Sequence, residues 1–264
     1  MPVKTTLKIR PNEPFDIPDR SGYYIHNQIT NDINYEFNTL SISLLTGNDF
    51  EVGKHPHTTR LNPEETYTIK LSVTDNSEKE KFEHLTSNYT KNNNYLRFGE
   101  NKFNILQSER KEETIEDIYT KAKKLKNPEL KFNFRTPTCI LHPASGVTEK
   151  FPHRIGIFPD LANKWNEQST DHRIHADPFD VGANLLEEPK HSTCDTDSVL
   201  TDINKNLPVF RQGFVGECTY KFRNPSEQFV QNIISLSVFS TYSGVGIETH
   251  RGCGSTSLKI NESD

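Results

Sequence analysis

The chain has 264 residues, of which 32% are hydrophobic and 10% aromatic, and it carries a formal net charge of -5 at pH 7. Its mean hydropathy of -0.74 excludes a membrane protein, and its 16 Phe and 9 Tyr residues argue against a disordered chain. This apolar content fits two small two-layer domains better than one deep core, and we expect a soluble cytoplasmic protein without a signal peptide.

The first half of the chain alternates between strand and helix patterns. In chain order, the predicted elements are a strand over 3–9, a helix with Ser21 as its N-cap and Ile25, Ile29 and Ile33 on one face, a strand over 67–73, a helix over 78–89, and strands over 95–98 and 103–105. The strand over 67–73 has the clearest alternation of apolar and polar residues in the sequence.

The second half continues in the same manner. Its predicted elements are a helix over 113–125, a strand over 130–134, a helix over 155–165, a strand over 214–222, a helix from Pro225 to Phe239 and a last strand over 258–260. The order is twice roughly strand, helix, strand, strand, helix, strand. We therefore predict an α+β protein with two tandem ferredoxin-like (RRM-like) domains, at 1–125 and 126–264, each a four-stranded antiparallel sheet with two helices.

An acidic segment interrupts the second domain. The residues from Asp171 to Asn206 have weak periodicity, and we predict that they form a long surface insertion. Between Asp160 and Asp202 the chain has ten acidic and three basic residues. So much negative charge would repel phosphate, and we expect the insertion to point away from any nucleic acid.

The strongest local motif is GVGIETHRGCG, from Gly244 to Gly254, in which two GxG steps are separated by five residues. A dinucleotide fingerprint would follow a strand and open a helix, whereas this motif follows a predicted helix. One alternative is a flexible hairpin. Glycines at paired spacing also permit the close approach of backbone amides to a phosphate chain, and we predict such a cradle here.

With this loop, the chain resembles the CRISPR-associated endoribonucleases that cut repeat RNA into guide RNAs. Three further segments follow that family's order in the second domain, namely FRTPT at 134–138, FPDLANKWN at 158–166 and GFVGECTY at 213–220. In the first domain the resemblance rests on GYYIH at 22–26, KHPHT at 54–58 and the strand over 67–73. The resemblance implies the two-domain fold and RNA binding by the glycine-rich loop.

Cleavage of RNA by its own 2'-hydroxyl requires a base and an acid, and histidine can serve as either near neutral pH. The resemblance places the candidate catalytic residues at His26 on the first helix and at His55 and His57, although His57 stands where the family often has an aromatic residue. An alternative is that HPH is a polar turn. The predicted RNA-binding residues are Lys54, Arg60, Gly244, Gly246, His250, Arg251, Gly252 and Gly254.

Metal binding has little support in the sequence. Four scattered cysteines, none in CxxC spacing, predict neither a zinc knuckle nor a disulfide framework, and His172 and His175 have loose ligand spacing. We expect no metal and no cofactor.

The resemblance implies a metal-independent endoribonuclease that processes CRISPR repeat RNA and leaves 5'-hydroxyl and 2',3'-cyclic phosphate ends. Its partners would be repeat RNA, the resulting crRNA and other subunits of a CRISPR effector complex. We expect no association with a membrane. The alternative is a non-catalytic RNA-binding subunit that holds guide RNA in such a complex.

Overall fold

The computed structural model describes residues 1–17, 22–47, 59–93, 95–98, 100–142, 145–205 and 207–262. The predicted N-cap Ser21 and the predicted site residues Lys54, His55 and His57 lie outside these ranges. Among the described residues, no helix is long and apolar enough to cross a bilayer.

In the described residues, the first half of the chain forms a five-stranded antiparallel sheet, a separate two-stranded sheet and two α-helices. Its elements are β1 (Val3–Pro11), β2 (Phe15–Ile17), α1 (Gly22–Ile33), β3 (Ser41–Ile42), β4 (Thr59–Leu61), β5 (Tyr67–Val73), α2 (Lys79–Ser87), β6 (Tyr95–Phe98) and β7 (Asn101–Glu112). The main sheet has the order β3-β5-β1-β7-β6, and β2 pairs separately with β4. The predicted faces are confirmed, because Leu7 and Ile69 from the strands and Ile25 and Ile29 from α1 share one buried core.

The second half forms a second antiparallel sheet. Its elements are α3 (Ile115–Ala122), β8 (Glu129–Thr138), α4 (Arg154–Gln168), α5 (Pro178–Asn184), β9 (Leu185–Pro189), β10 (Asp195–Asn204), β11 (Leu207–Phe222), α6 (Glu227–Ser243) and β12 (Thr256–Asn261). The sheet order is β10-β11-β8-β12, with β9 paired to β11. The series β8, α4, β10, β11, α6, β12 is the predicted ferredoxin-like arrangement.

The acidic segment is not the surface insertion that its composition predicts. It contains α5, β9 and β10, and its residues Ile174, Val181, Leu185 and Val199 have no exposed surface. Because β10 pairs with β11 over nearly its whole length, this segment supplies the edge strand of the sheet. Most of its acidic residues are exposed, namely Asp171, Asp177, Asp180, Glu188, Asp195 and Asp202, and in the sequence they obscure the apolar positions between them.

Helix α3 packs with the second sheet, although the predicted first domain extends to residue 125. Ile118 and Ala122 belong to the second core. The side-chain amide of Gln231 on α6 also donates a hydrogen bond to the carbonyl oxygen of Tyr119, at 3.0 Å. This packing favours a domain boundary before α3.

The two halves meet at the end of α6. Ser72 Oγ on β5 donates to the carbonyl oxygen of Tyr242 at 2.6 Å, and the Tyr242 hydroxyl donates to the carboxylate of Glu113 at 2.6 Å. Lys4 Nζ on β1 lies 3.3 Å from the carbonyl oxygen of Thr241. The glycine-rich loop begins directly after these contacts, so its entry is held against the first domain.

Candidate active site at the junction of the two domains

The N-terminal end of α1 lies against the glycine-rich loop, which contains a short 3-10 turn at Thr249–Arg251. A Cβ atom added to Gly22 would lie 2.1 Å from the carbonyl oxygen of Arg251. Only glycine can occupy the first residue of α1 at such an approach. The contact brings a helix of the first domain and a loop of the second domain into one cluster.

His26 lies at the centre of this cluster. Only 3% of its surface is exposed, and its ring centre lies 5.0 Å from that of His250 at an interplanar angle of 63°. Its Nε2 atom is buried without a hydrogen-bond partner among the described residues. Buried polar atoms are usually paired, so this unpaired nitrogen makes His26 a candidate site residue.

Arg251 and Asn27 orient the His26 ring. The Arg251 guanidinium donates a hydrogen bond to Asn27 Oδ1 at 2.7 Å, and His26 Nδ1 lies 3.4 Å from the same oxygen. Because an amide oxygen only accepts, this arrangement favours the tautomer with hydrogen on Nδ1 and a free lone pair on Nε2. The Arg251 guanidinium also lies 5.0 Å from the ring centre of Tyr23, within the range of a cation–π interaction.

The electrostatic surroundings keep His26 neutral. Burial, with smaller effects from the positive charge of Arg251 and from the neighbouring His250, lowers the pKa of His26 from its ordinary 6.5 to about 4. Burial and Arg251 also lower the pKa of His250, whereas the carboxylate of Glu36 opposes that effect. The cluster therefore offers an uncharged imidazole beside a permanent cation at neutral pH.

The glycines of the loop serve its internal packing. The amide of Gly246 donates to Asp160 Oδ2 at 2.8 Å, that of Gly252 to the Thr249 carbonyl at 3.2 Å, and that of Gly254 to the Pro137 carbonyl at 2.9 Å. These three amides do not face an open surface, which corrects the predicted cradle of backbone amides.

The loop glycines also have backbone angles that few other residues tolerate. Gly244, Gly246, Gly252 and Gly254 all have positive φ angles, between 65° and 89°. Contact between these glycines and RNA stays a prediction, and the loop presents the side chains of His250 and Arg251 beside α1.

Two residues of α4, Asp160 and Lys164, hold the base of the loop, and neither is among the site residues predicted from the sequence. Lys164 Nζ donates to the carbonyl oxygen of Gly246 at 2.5 Å, and Asp160 accepts from the amide of the same glycine. Asp160 and Lys164 are also within 3.5 Å of each other. Their spacing of one helical turn inside the segment FPDLANKWN is the sequence signal that could have found them.

Of the other candidates that the structure describes, Arg60 and His172 have partners outside this cluster. Arg60 lies on β4, is exposed, and pairs with Asp16 of β2 at 3.5 Å. His172, the residue of the metal alternative, stacks on Tyr119 with ring centres 4.6 Å apart and contacts Glu116. In the part of the chain that the structure describes, no group of three or more His, Cys, Asp or Glu residues is arranged to hold a metal.

Comparison with known proteins confirms the family resemblance. Residues 132–256 match the family model of the CRISPR-associated endoribonuclease Cas6. No curated protein matches the chain.

Solved structures share the fold over nearly the whole chain. A Cas6 product complex matches with a TM-score of 0.66 and 16% identity, covering 98% of this chain and 100% of that one. Cas6 from Thermus thermophilus matches with a TM-score of 0.60 and 17% identity, covering 98% of both chains. A Cas6-related protein from Pyrococcus furiosus matches with a TM-score of 0.59 and 14% identity, covering 100% of both. These similarities confirm the predicted fold of two tandem ferredoxin-like domains.

Proposed function

The chain has a Cas6-type second domain and the two-domain fold of solved Cas6 structures, and on this premise we propose that it is an endoribonuclease that cleaves CRISPR repeat RNA into guide RNAs. The observation that carries the proposal is the cluster at the domain junction. There, the buried and neutral His26 lies beside His250 and Arg251. This is the combination of proton-transfer group and fixed positive charge that RNA cleavage requires.

The proposed reaction uses the ribose next to the scissile phosphate. Nε2 of His26 removes the proton of the 2'-hydroxyl, and the 2'-oxygen attacks phosphorus while the bond to the 5'-oxygen breaks. The leaving 5'-oxygen takes up a proton from a second donor, and the products are a 2',3'-cyclic phosphate and a 5'-hydroxyl. The guanidinium of Arg251 stabilises the negative charge that develops on the phosphate oxygens. These steps need no metal ion, and His55, His57, Lys54 and Arg60 remain candidates for further contacts with RNA.

A cleavage assay tests this proposal. RNA that carries the CRISPR repeat of the genome encoding the chain should be cut in EDTA, and one 2'-deoxy substitution upstream of the scissile phosphate should block cutting. His26→Ala should lower the rate at least about 10²-fold, the usual effect of losing a general base, with little change in RNA affinity. His84, an exposed residue of α2, provides the control variant His84→Ala. Loss of cutting in EDTA, or a fully active His26→Ala, would contradict the mechanism.

One observation favours the alternative of a non-catalytic RNA-binding subunit. His26 is 3% exposed, so a ribose cannot reach its Nε2 atom while His250 lies against the ring. A non-catalytic subunit would bind the repeat RNA tightly in the same assay and leave it uncut. Binding without cutting, at every salt concentration and pH tested, would decide for this alternative.

A further inference from the structure

His250 lies on the 3-10 turn of the glycine-rich loop, and its side chain retains 35% of its exposure. It is the more accessible of two imidazoles that meet at the junction, one from each domain. We propose that His250 is the second catalytic residue of this site, the general acid that protonates the leaving 5'-oxygen while His26 acts as the base. This inference rests on the proposed function and assigns the proton donor of that reaction.

The distance between the two rings suits the task. A catalytic acid or base must lie about 2.6–3.2 Å from the atom with which it exchanges a proton. Two imidazoles whose ring centres are 5.0 Å apart can each reach a different oxygen of one phosphodiester. For a phosphate to reach both rings, the His250 side chain, which is the more exposed of the two, has to rotate away from the His26 ring. The loop backbone keeps its place, because its amides are bonded within the protein.

The surroundings of the two rings favour opposite roles. Burial, Arg251 and His250 lower the pKa of His26, and the opposing effects of Asn27 and of the Glu36 carboxylate are smaller, so its neutral form predominates. His250 has its Nε2 atom 3.6 Å from the carboxylate of Glu248, and Glu36 also stabilises its cation. Burial and Arg251 lower the pKa of both imidazoles, but the carboxylate beside Nε2 of His250 suits that ring to hold the proton, while His26 is suited to accept one. A bound phosphate adds a further negative charge, which raises the pKa of His250.

The proton balance of the step is complete. His26 gains the proton of the 2'-hydroxyl as the bond between the 2'-oxygen and phosphorus forms. The bond between phosphorus and the 5'-oxygen breaks, its electron pair stays on that oxygen, and His250 supplies the proton. After product release, exchange with water returns a proton to His250 and removes one from His26. No oxidant, reductant or metal takes part.

A leaving group that needs no proton provides the test. In an RNA with sulfur in place of the scissile 5'-oxygen, the leaving group is a thiolate, which is stable without protonation because thiols have a pKa of about 8.5. We expect His250→Ala to cut the natural repeat RNA at least about 10²-fold more slowly than the wild type, and the sulfur RNA at close to the wild-type rate. His26→Ala should remain slow on both RNAs, since the base is still missing.

The controls separate this inference from the proposed function. His84→Ala should cut both RNAs like the wild type, and circular dichroism should show that each variant is folded. His250→Asn, which keeps a polar side chain, serves as the second variant if His250→Ala unfolds. If His250→Ala is equally slow on both RNAs, or cuts the natural RNA at the wild-type rate, the role of His250 is overturned and the proposed function is not affected. A wild-type protein that cuts neither RNA would instead overturn the proposed function.

Discussion

His26 combines a buried ring with a nitrogen that has no partner among the described residues, and this combination has an energetic consequence. A folded protein that disfavours the charged form of a histidine binds a proton less readily than the unfolded chain does. Acid then stabilises the unfolded state. The residue proposed as the catalytic base is therefore also a source of acid sensitivity.

We predict that His26 makes the folded protein less stable as the pH falls from 6.5 to 4. Its pKa is lowered to about 4 from an ordinary 6.5, so in this range the unfolded state holds the extra proton. The contribution of the neutral His26 to the free energy of unfolding is intact above pH 6.5. It falls progressively toward pH 4, by at most about 3 kcal/mol. Urea unfolding at pH 7 and pH 5 measures this loss, which should be smaller in His26→Gln than in the wild type.

The exposed His84 provides the matched control for this measurement. His84→Gln should lose as much stability between pH 7 and pH 5 as the wild type, because the substitution leaves His26 and its surroundings unchanged. If His26→Gln loses as much stability as His84→Gln, the folded protein accepts a proton on His26 without penalty.

At the scale of elements, the contact of α1 with the glycine-rich loop determines whether the site forms. We predict that Gly22→Ala lowers cleavage about as much as loss of His26, because the new Cβ would lie 2.1 Å from the Arg251 carbonyl and separate His26 from His250. The rate of repeat RNA cleavage measures the effect, and circular dichroism checks the fold.

Gly156 on α4 supplies the matched control for that substitution. A Cβ added there would lie 3.5 Å from the nearest atom, a side-chain carbon of Ile140, which is an ordinary contact. Gly156→Ala should therefore cut like the wild type. A fully active Gly22→Ala would mean that the approach of the loop to α1 is not needed for catalysis.

The elements with strong periodicity could be predicted from the sequence. The strand over 67–73 and the helix that carries Ile25 and Ile29 have apolar faces that match their buried positions, and both are confirmed. The prediction of a surface insertion was wrong for the acidic segment. Val199, Leu200 and Thr201 are buried one after another in β10, so the sequence lacks the alternation of a half-buried strand. The register of β10 against β11 also shifts between Leu200 and Asp202, and such a bulge interrupts the period of two on which the prediction depends.

At the scale of the whole molecule, the candidate site could be predicted only as separate residues. His26, His250 and Arg251 are each visible in the sequence, but Asn27 and Arg251, which are hydrogen-bonded, are 224 positions apart. Their meeting depends on how two domains pack, and no local pattern encodes that packing. The motif predicted the loop but not the roles of its groups. In the structure the loop amides are hydrogen-bonded within the protein, and the loop side chains lie at the junction.

The acidic segment is also part of this larger assembly. Val199 of β10 packs with Cys139, Ile247 and Cys253 in a small apolar cluster beneath the glycine-rich loop. We predict that replacing residues 171–206 by a short linker destabilises the second domain and abolishes cleavage, because the edge strand and the support of the loop are both removed. Urea unfolding and the cleavage assay measure the two effects.

Removing acidic charge from the segment should by itself neither destabilise the second domain nor abolish cleavage. A variant in which Asp195 and Asp202, two exposed acids of β10, are changed to Asn keeps the strand and provides the control. It should remain folded and active. A linker variant that unfolds at the wild-type urea concentration and still cuts RNA would show that the segment is dispensable, as its composition alone had indicated.

The separation of the two imidazoles along the chain has a consequence for the cell. During synthesis the ribosome makes His26 long before it makes His250, so the emerging polypeptide holds the proposed base without its proton donor. An RNA-cutting protein that matured early would endanger the transcripts around it, including the message being translated. In this chain the proposed base, His26, and the proposed acid, His250, come together only when the glycine-rich loop packs against α1. If the proposed roles of His26 and His250 hold, the order of translation delays the proposed cleavage activity until the two domains have docked.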